Sequence, residues 1–306
     1  MIIRPKQSWF RLLFVWKGSV LQSIIPQLLF IGAVSCLAVF THGRVLGEKI
    51  PLNTAPFTLF GVALAIFLAF RNNASYDRFI EARHLWGQLL ISSRALVSQA
   101  LCYLPDGLGK TERARLAFDM VAFVYAFKHQ LRQTDPSADL RRLLGDARAQ
   151  AMGAKHYKPV AILNGIRSSL VARNGGTPVP DATTWMLDAQ INELGKSLGG
   201  CERIASTPIP FAYGVLLHRT VYAYCILLPF GLVDSTVFFT PLICVFISYT
   251  LIALEAIANE VAEPFGTAPN ALALDAMTRT IERSILELCE LDVPEEIEPV
   301  GTYQLT

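Results

Sequence analysis

Two short motifs in this 306-residue chain carry residue types used in catalysis. Gly195-Lys196-Ser197-Leu198-Gly199 has the G-x-S-x-G pattern, which presents a serine nucleophile when a sharp strand-to-helix turn exposes its hydroxyl. Here it follows a helical segment, so that turn is not expected. Gly109-Lys110-Thr111 ends as a phosphate-binding loop ends, but Leu104 stands where its first glycine belongs and no strand precedes it. The six cysteines, at 36, 102, 201, 225, 244 and 289, form no C-x-x-C pair, and the five histidines show neither H-x-x-x-H nor H-E-x-x-H spacing. No catalytic residue, metal ligand or cofactor site is expected, and the chain reads as a non-enzyme.

The residues that do form a pattern are apolar and lie between Ile50 and Phe70, a stretch without a charged residue. As a helix, it places Gly61, Ala65 and Ala69 on one stripe and Val62, Ile66 and Phe70 on the adjoining one. Small residues at i, i+4 and i+8 let helices approach closely in lipid, where packing drives association. If several copies surround an axis, the bulky stripe becomes three stacked apolar rings, a constriction that gates a pore by dewetting. Spacing alone serves equally an ordinary helix with one packing face and one lipid face.

The elements that must position this stripe are read from where charge is missing. The chain is 52% hydrophobic and 17% charged with a mean hydropathy of +0.39, against about 25% charged residues in soluble domains. Disorder, collagen and disulfide scaffolds are excluded, and a net charge of +2 gives no reason to expect a nucleic-acid partner. Four uncharged runs are expected to cross the bilayer: Leu28 to Phe40, Ile50 to Phe70, Thr220 to Val233 with help from Ala212 to Leu217, and Ser235 to Leu254. Asp234 is expected in the turn between the last two. The first run starts late and lacks a small-x-small site, which favours a span over a cleaved signal peptide. Arg4, Lys6, Arg11 and Lys17 precede it without an acid, so both termini are expected on the cytoplasmic side of the inner membrane. Asn73-Ala74-Ser75 is then a glycosylation sequon in form only.

Between the paired spans the pattern is helical. Phe79, Ala82, Trp86, Leu89, Leu90, Leu96, Val97 and Leu101 recur at helical spacing and continue the second span as an amphipathic helix. Thr111 is expected to cap a helix reaching Arg132, whose apolar stretch from Leu116 to Phe127 is too short to span and suits a buried cytosolic core. Gly175, Gly176, Pro178 and Pro180 break the pattern before a helix from Asp181 to Leu198. Residues 255 to 306 hold eleven acids against Arg279 and Arg283, and from Pro294 read as a solvated or partner-bound tail. The expected architecture is an all-α membrane protein: 1–70 with two spans, 71–210 a helical cytosolic region, 211–254 two further spans, and 255–306 an acidic cytosolic end.

The stretch Phe70-Arg71-Asn72-Asn73-Ala74-Ser75-Tyr76-Asp77-Arg78-Phe79-Ile80-Glu81-Ala82-Arg83, followed by Leu85-Trp86-Gly87, resembles the signature after the second transmembrane helix of bacterial bestrophins. Arg4-Pro5-Lys6 with Trp9-Phe10, Thr207 to Tyr213, His218-Arg219-Thr220 and Pro264-Phe265-Gly266 also fit, in family order. The resemblance implies a homopentameric ion channel whose second helix lines a neck of three apolar rings, here Val62, Ile66 and Phe70. It also implies a second, cytosolic constriction, expected near Ala182 to Trp185. Animal members follow the proline-phenylalanine-glycine element with acids that help hold Ca²⁺, whereas Thr267-Ala268-Pro269-Asn270 follows it here. Calcium needs several hard oxygen ligands, so Ca²⁺ activation through this segment is not expected. Bacterial relatives are associated with monovalent cations such as Na⁺ and animal ones with anions such as chloride, so cation conduction is expected and anion conduction is the alternative. A transporter or a membrane-tethered regulator is the reading from another class, although no inverted repeat is visible.

Overall fold

The computed structural model describes residues 1–3, 8–16, 18–45, 48–49, 54–104, 107–171, 179–299 and 303–306. Apart from a hairpin of two-residue strands, β1 (Arg44–Val45) and β2 (Glu48–Lys49), its regular elements are helices. The membrane-length elements are α2 (Leu21–Phe40), the uncharged first part of α3 (Thr54–Tyr103), α9 (Phe211–Thr236) and α10 (Thr240–Ala262), preceded by the one-turn α1 (Trp9–Leu13). Three stretches, Leu21–Phe40, Ala55–Tyr103 and Phe211–Ala262, are long and apolar enough to cross a membrane. The last folds back on itself, so α9 and α10 supply 26 and 23 residues, and at about 1.5 Å rise each exceeds the roughly 30 Å hydrocarbon thickness.

That reversal lies after Asp234, not at it. Asp234 belongs to the last turn of α9, and the chain turns at Val237, whose φ is 41°. A lone charge does not end a helix. The change of direction is held by hydroxyls, with Thr240 Oγ1 donating to the Val237 carbonyl at 2.7 Å, and by Pro241 in the first turn of α10, where a missing N–H costs nothing.

The remaining helices are α4 (Lys110–Arg132), α5 (Ser137–Leu144), α6 (Asp146–Gly153), α7 (Lys158–Val171), α8 (Asp181–Ser206) and α11 (Leu274–Leu288). Gly109, rather than Thr111, caps α4; its N–H donates to Glu112 Oε2 at 3.2 Å, which leaves Thr111 inside the first turn. Helix α8 runs past the expected end at Leu198 to Ser206. Gly199 and Gly200 do not break it, because α3 packs there: a Cβ at Gly200 would lie 2.8 Å from Leu85 Cδ1. Of the residues expected to interrupt the pattern, Gly175, Gly176 and Pro178 lie outside the described residues, and Pro180 is the N-cap of α8. The expected boundaries at 70/71 and 254/255 fall within α3 and α10, whose backbone hydrogen bonds continue regardless of where charge begins.

Two apolar cores form. One joins α2, the first part of α3, α9 and α10 through Ile31, Leu64, Leu68, Val221, Cys225 and Ile252. The other surrounds α4, whose Leu116–Phe127 stretch is almost wholly buried against the second half of α3, α7, α8 and α11. Trp86 of α3 stacks on Phe127 of α4 with ring centroids 5.6 Å apart. The 50-residue α3 belongs to both cores and carries one into the other.

Candidate functional site

Along its membrane-length part, α3 turns Leu64 and Leu68, 2% and 1% exposed, into the bundle, and Arg71 and Ser75 continue that buried face. Val62, Ile66 and Phe70 are 53%, 50% and 63% exposed. At about 100° per residue the two sets point in nearly opposite directions. A 50-residue helix with a bulky apolar stripe turned away from its own bundle has surface to give to lipid, to another copy, or to a pore.

The small-residue stripe divides. Gly61 packs within the chain, where an added Cβ would sit 2.5 Å from Tyr224 Oη, and the Tyr224 ring stacks on Phe57 at 4.6 Å. Ala65 and Ala69 are exposed. The stripe that packs inside the chain is thus Leu64, Leu68, Arg71 and Ser75, with Gly61 at its margin.

At the Phe70 end of the stripe the chain brings together polar and ionisable side chains from three helices. Arg71 Nη1 lies 3.6 Å from Glu255 Oε1, both nearly buried, and Nη2 donates to Asn259 Oδ1. His218 Nδ1 is 2.8 Å from the same Glu255 oxygen. A buried guanidinium is tolerated only with such a counter-charge. Sequence reading missed this cluster because Arg71 is more than 140 residues from its partners; its one signal is that each lies where an apolar run meets charge. Arg78 fixes the next turn, donating from Nε to the Ala262 carbonyl at 3.0 Å, from Nη1 to Thr207 at 2.5 Å and from Nη2 to Ile204 at 2.6 Å. One guanidinium thereby ties α3 to the carbonyl ends of α8 and α10.

Ala182 and Trp185 occupy the first turn of α8, both exposed, Trp185 at 77%. They are far along the chain from the α3 stripe, and no described contact joins the two sites. The segment after Pro264 is a compact turn, with Phe265 buried and Asn270 Nδ2 donating to Glu260 Oε2 at 2.6 Å. Among the described residues no group of three or more His, Cys, Asp or Glu side chains is placed to hold a metal ion. Gly195 to Gly199 lie inside α8, with Ser197 buried, and Asn73 to Ser75 lie inside α3.

The model of the bacterial/fungal bestrophin family matches residues 1–287. A voltage-dependent anion channel-forming protein of Ralstonia nicotianae is 43% identical over 288 residues, 94% of each chain. The voltage-dependent anion channel-forming protein YneE of Escherichia coli K12 is 43% identical over 312 residues, which cover 100% of both. Among solved structures, a bacterial bestrophin homologue from Klebsiella pneumoniae matches with a TM-score of 0.82 and 44% identity, over 88% of this chain and 99% of that one.

Proposed function

The chain belongs to the bacterial and fungal bestrophin family, and on that premise we propose that five copies surround one central pore that conducts monovalent ions passively. The carrying observation is the exposed stripe of α3: Val62, Ile66 and Phe70 lie opposite the face buried in their own bundle. Five such stripes give three apolar rings, a neck that conducts when wet and closes when dry. Gly61, Ala65 and Ala69 lie beside the neck, where small side chains permit close helix packing. Ala182 and Trp185, exposed on the first turn of α8, form the second constriction on the cytosolic side. The channel sits in the inner membrane with both termini in the cytoplasm, and Ca²⁺ does not open it through residues 264–270.

Monovalent cations such as Na⁺ are the proposed cargo. Supporting this, Arg71, the cation nearest the neck in sequence, is buried against Glu255 and presents no uncompensated positive charge to the pore. Anion conduction is the second reading, favoured by the names of the Ralstonia and Escherichia relatives. Purified protein in planar bilayers under a NaCl gradient separates the two. The expected reversal potential moves toward that of Na⁺; a move toward that of chloride rejects the cation reading, and saturable counterflow without unitary currents rejects a channel.

A further inference from the structure

The face of α3 that bears the neck residues does not end at Phe70. At about 100° per residue, Asn73, Asp77 and His84 fall in the same sector as Val62, Ile66 and Phe70, and all three are exposed. Asp77 is seven residues beyond Phe70, about 10 Å further along the helix axis. It makes no hydrogen bond or ion pair among the described residues, unlike Arg71, Arg78 and Glu81. Arg71 is held by Glu255 and Asn259 on the buried face. Arg78 points into the bundle, its three bonds directed at the negative carbonyl ends of α8 and α10. Glu81 is tied to Arg203. Between Phe70 and Ala82, therefore, Asp77 is, among the described residues, the one charge on the stripe side without a partner; Arg83, exposed and likewise without one, lies about 100° round the helix from the middle of the stripe.

We propose that Asp77 is a specificity-determining residue of the pore: in the assembled channel five Asp77 carboxylates ring the inner mouth of the neck and select cations over anions. This rests on the pentameric pore reading above. The division of labour is physical. Apolar rings set how easily the neck wets but carry no sign, whereas a ring of unpaired carboxylates raises the local concentration of cations and lowers that of anions. His84, one further step along the same sector, is also exposed.

The test compares the full-length protein with Asp77→Asn, Asp77→Ser, Asp77→Glu and Asp77→Lys variants in planar bilayers under a NaCl gradient. The neutral variants should lower the Na⁺ to Cl⁻ permeability ratio by at least about threefold, more so in dilute salt, where screening is weak. Asp77→Glu should keep the wild-type ratio and Asp77→Lys should favour chloride. Asp77 is exposed and makes no hydrogen bond or ion pair among the described residues, so assembly should survive, and two neutral variants guard against one that misfolds. Cation-selective wild-type channels whose ratio is the same in all four variants overturn the role of Asp77 and leave the pore reading standing. Wild-type channels that select chloride overturn the cation reading and this inference together.

Discussion

Valine, isoleucine and phenylalanine side chains left half exposed on one helix forgo part of the roughly 1.5–3 kcal/mol that burial of each would contribute. On α3 they sit opposite Leu64 and Leu68, which are buried, so their exposure belongs to the way the helix is seated and not to a loosely packed bundle. The neck reading gives these positions a direct test. Alanine at Val62, Ile66 and Phe70 together should widen and wet the constriction, raising unitary conductance and the fraction of time open. Because none of the three carries the bundle core, thermal stability in detergent should stay within about 1 kcal/mol of wild type. Unchanged conductance and gating, with assembly intact, would remove these side chains from the ion path.

At the scale of elements, the helices around α4 are held by buried polar contacts as well as by the apolar core. Glu282 of α11 accepts from Tyr125 Oη at 2.6 Å and from Arg142 Nη1 at 2.7 Å, and burial together with that bond raises the Tyr125 hydroxyl pKa above its usual range. Asp275, in the first turn of α11, faces Lys128 at 3.0 Å and Arg132 at 2.5 Å on α4. Burial acts to raise the Asp275 carboxyl pKa, but the bonds and charges of Lys128 and Arg132 outweigh it and hold the value below the ordinary carboxylate range. An acid with a lowered folded pKa stabilises fully above its unfolded value and loses that stabilisation as pH falls through the folded one. Asp275→Asn should therefore cost about 2 kcal/mol at neutral pH, since it leaves two nearly buried cations short of a counter-charge. The difference in melting temperature between the variant and wild type should shrink below about pH 4. A gap that stays constant across that range would show that the Asp275 contacts are not linked to folding.

For the whole molecule, the two cores and the helix they share define what assembly has to accomplish. A single chain leaves Ala65, Ala69 and the bulky stripe of α3 uncovered, with Phe211 on α9 and Trp185 on α8 also exposed. A closed five-fold ring would turn the same stripe of every copy toward one axis and cover the remaining faces with different faces of neighbouring copies. Native mass spectrometry of the protein in nanodiscs should return five subunits, and a monomer as the main species would remove the pore geometry altogether. The chain ends close on the protomer itself: the Ile3 N–H donates to the Tyr303 carbonyl at 3.0 Å and the Leu305 N–H to that of Met1 at 2.8 Å. Of the tail expected from Pro294, Tyr303–Thr306 returns to the amino terminus, while α11, in the acidic stretch before it, packs into the core around α4.

Much of this was present in the order of residues. Charge-free runs long enough to span, the helical recurrence from Phe79 to Leu101, the buried stretch from Leu116 to Phe127 and the Val62, Ile66, Phe70 stripe are all local patterns, written within a few turns of chain and so readable from spacing. The ends of elements were less legible, as at Gly109, Asp234 and Ser206, because a cap or a continued helix depends on a few tenths to about one kcal/mol that a neighbour can reverse. Tertiary structure alone decided what crosses the sequence: that Glu255 neutralises Arg71, that Arg78 fastens three helices, and that Asp77 is left without a partner among the described residues. Each is a matter of which charge meets which, and Coulomb interaction depends on distance in space, which spacing along a chain does not encode.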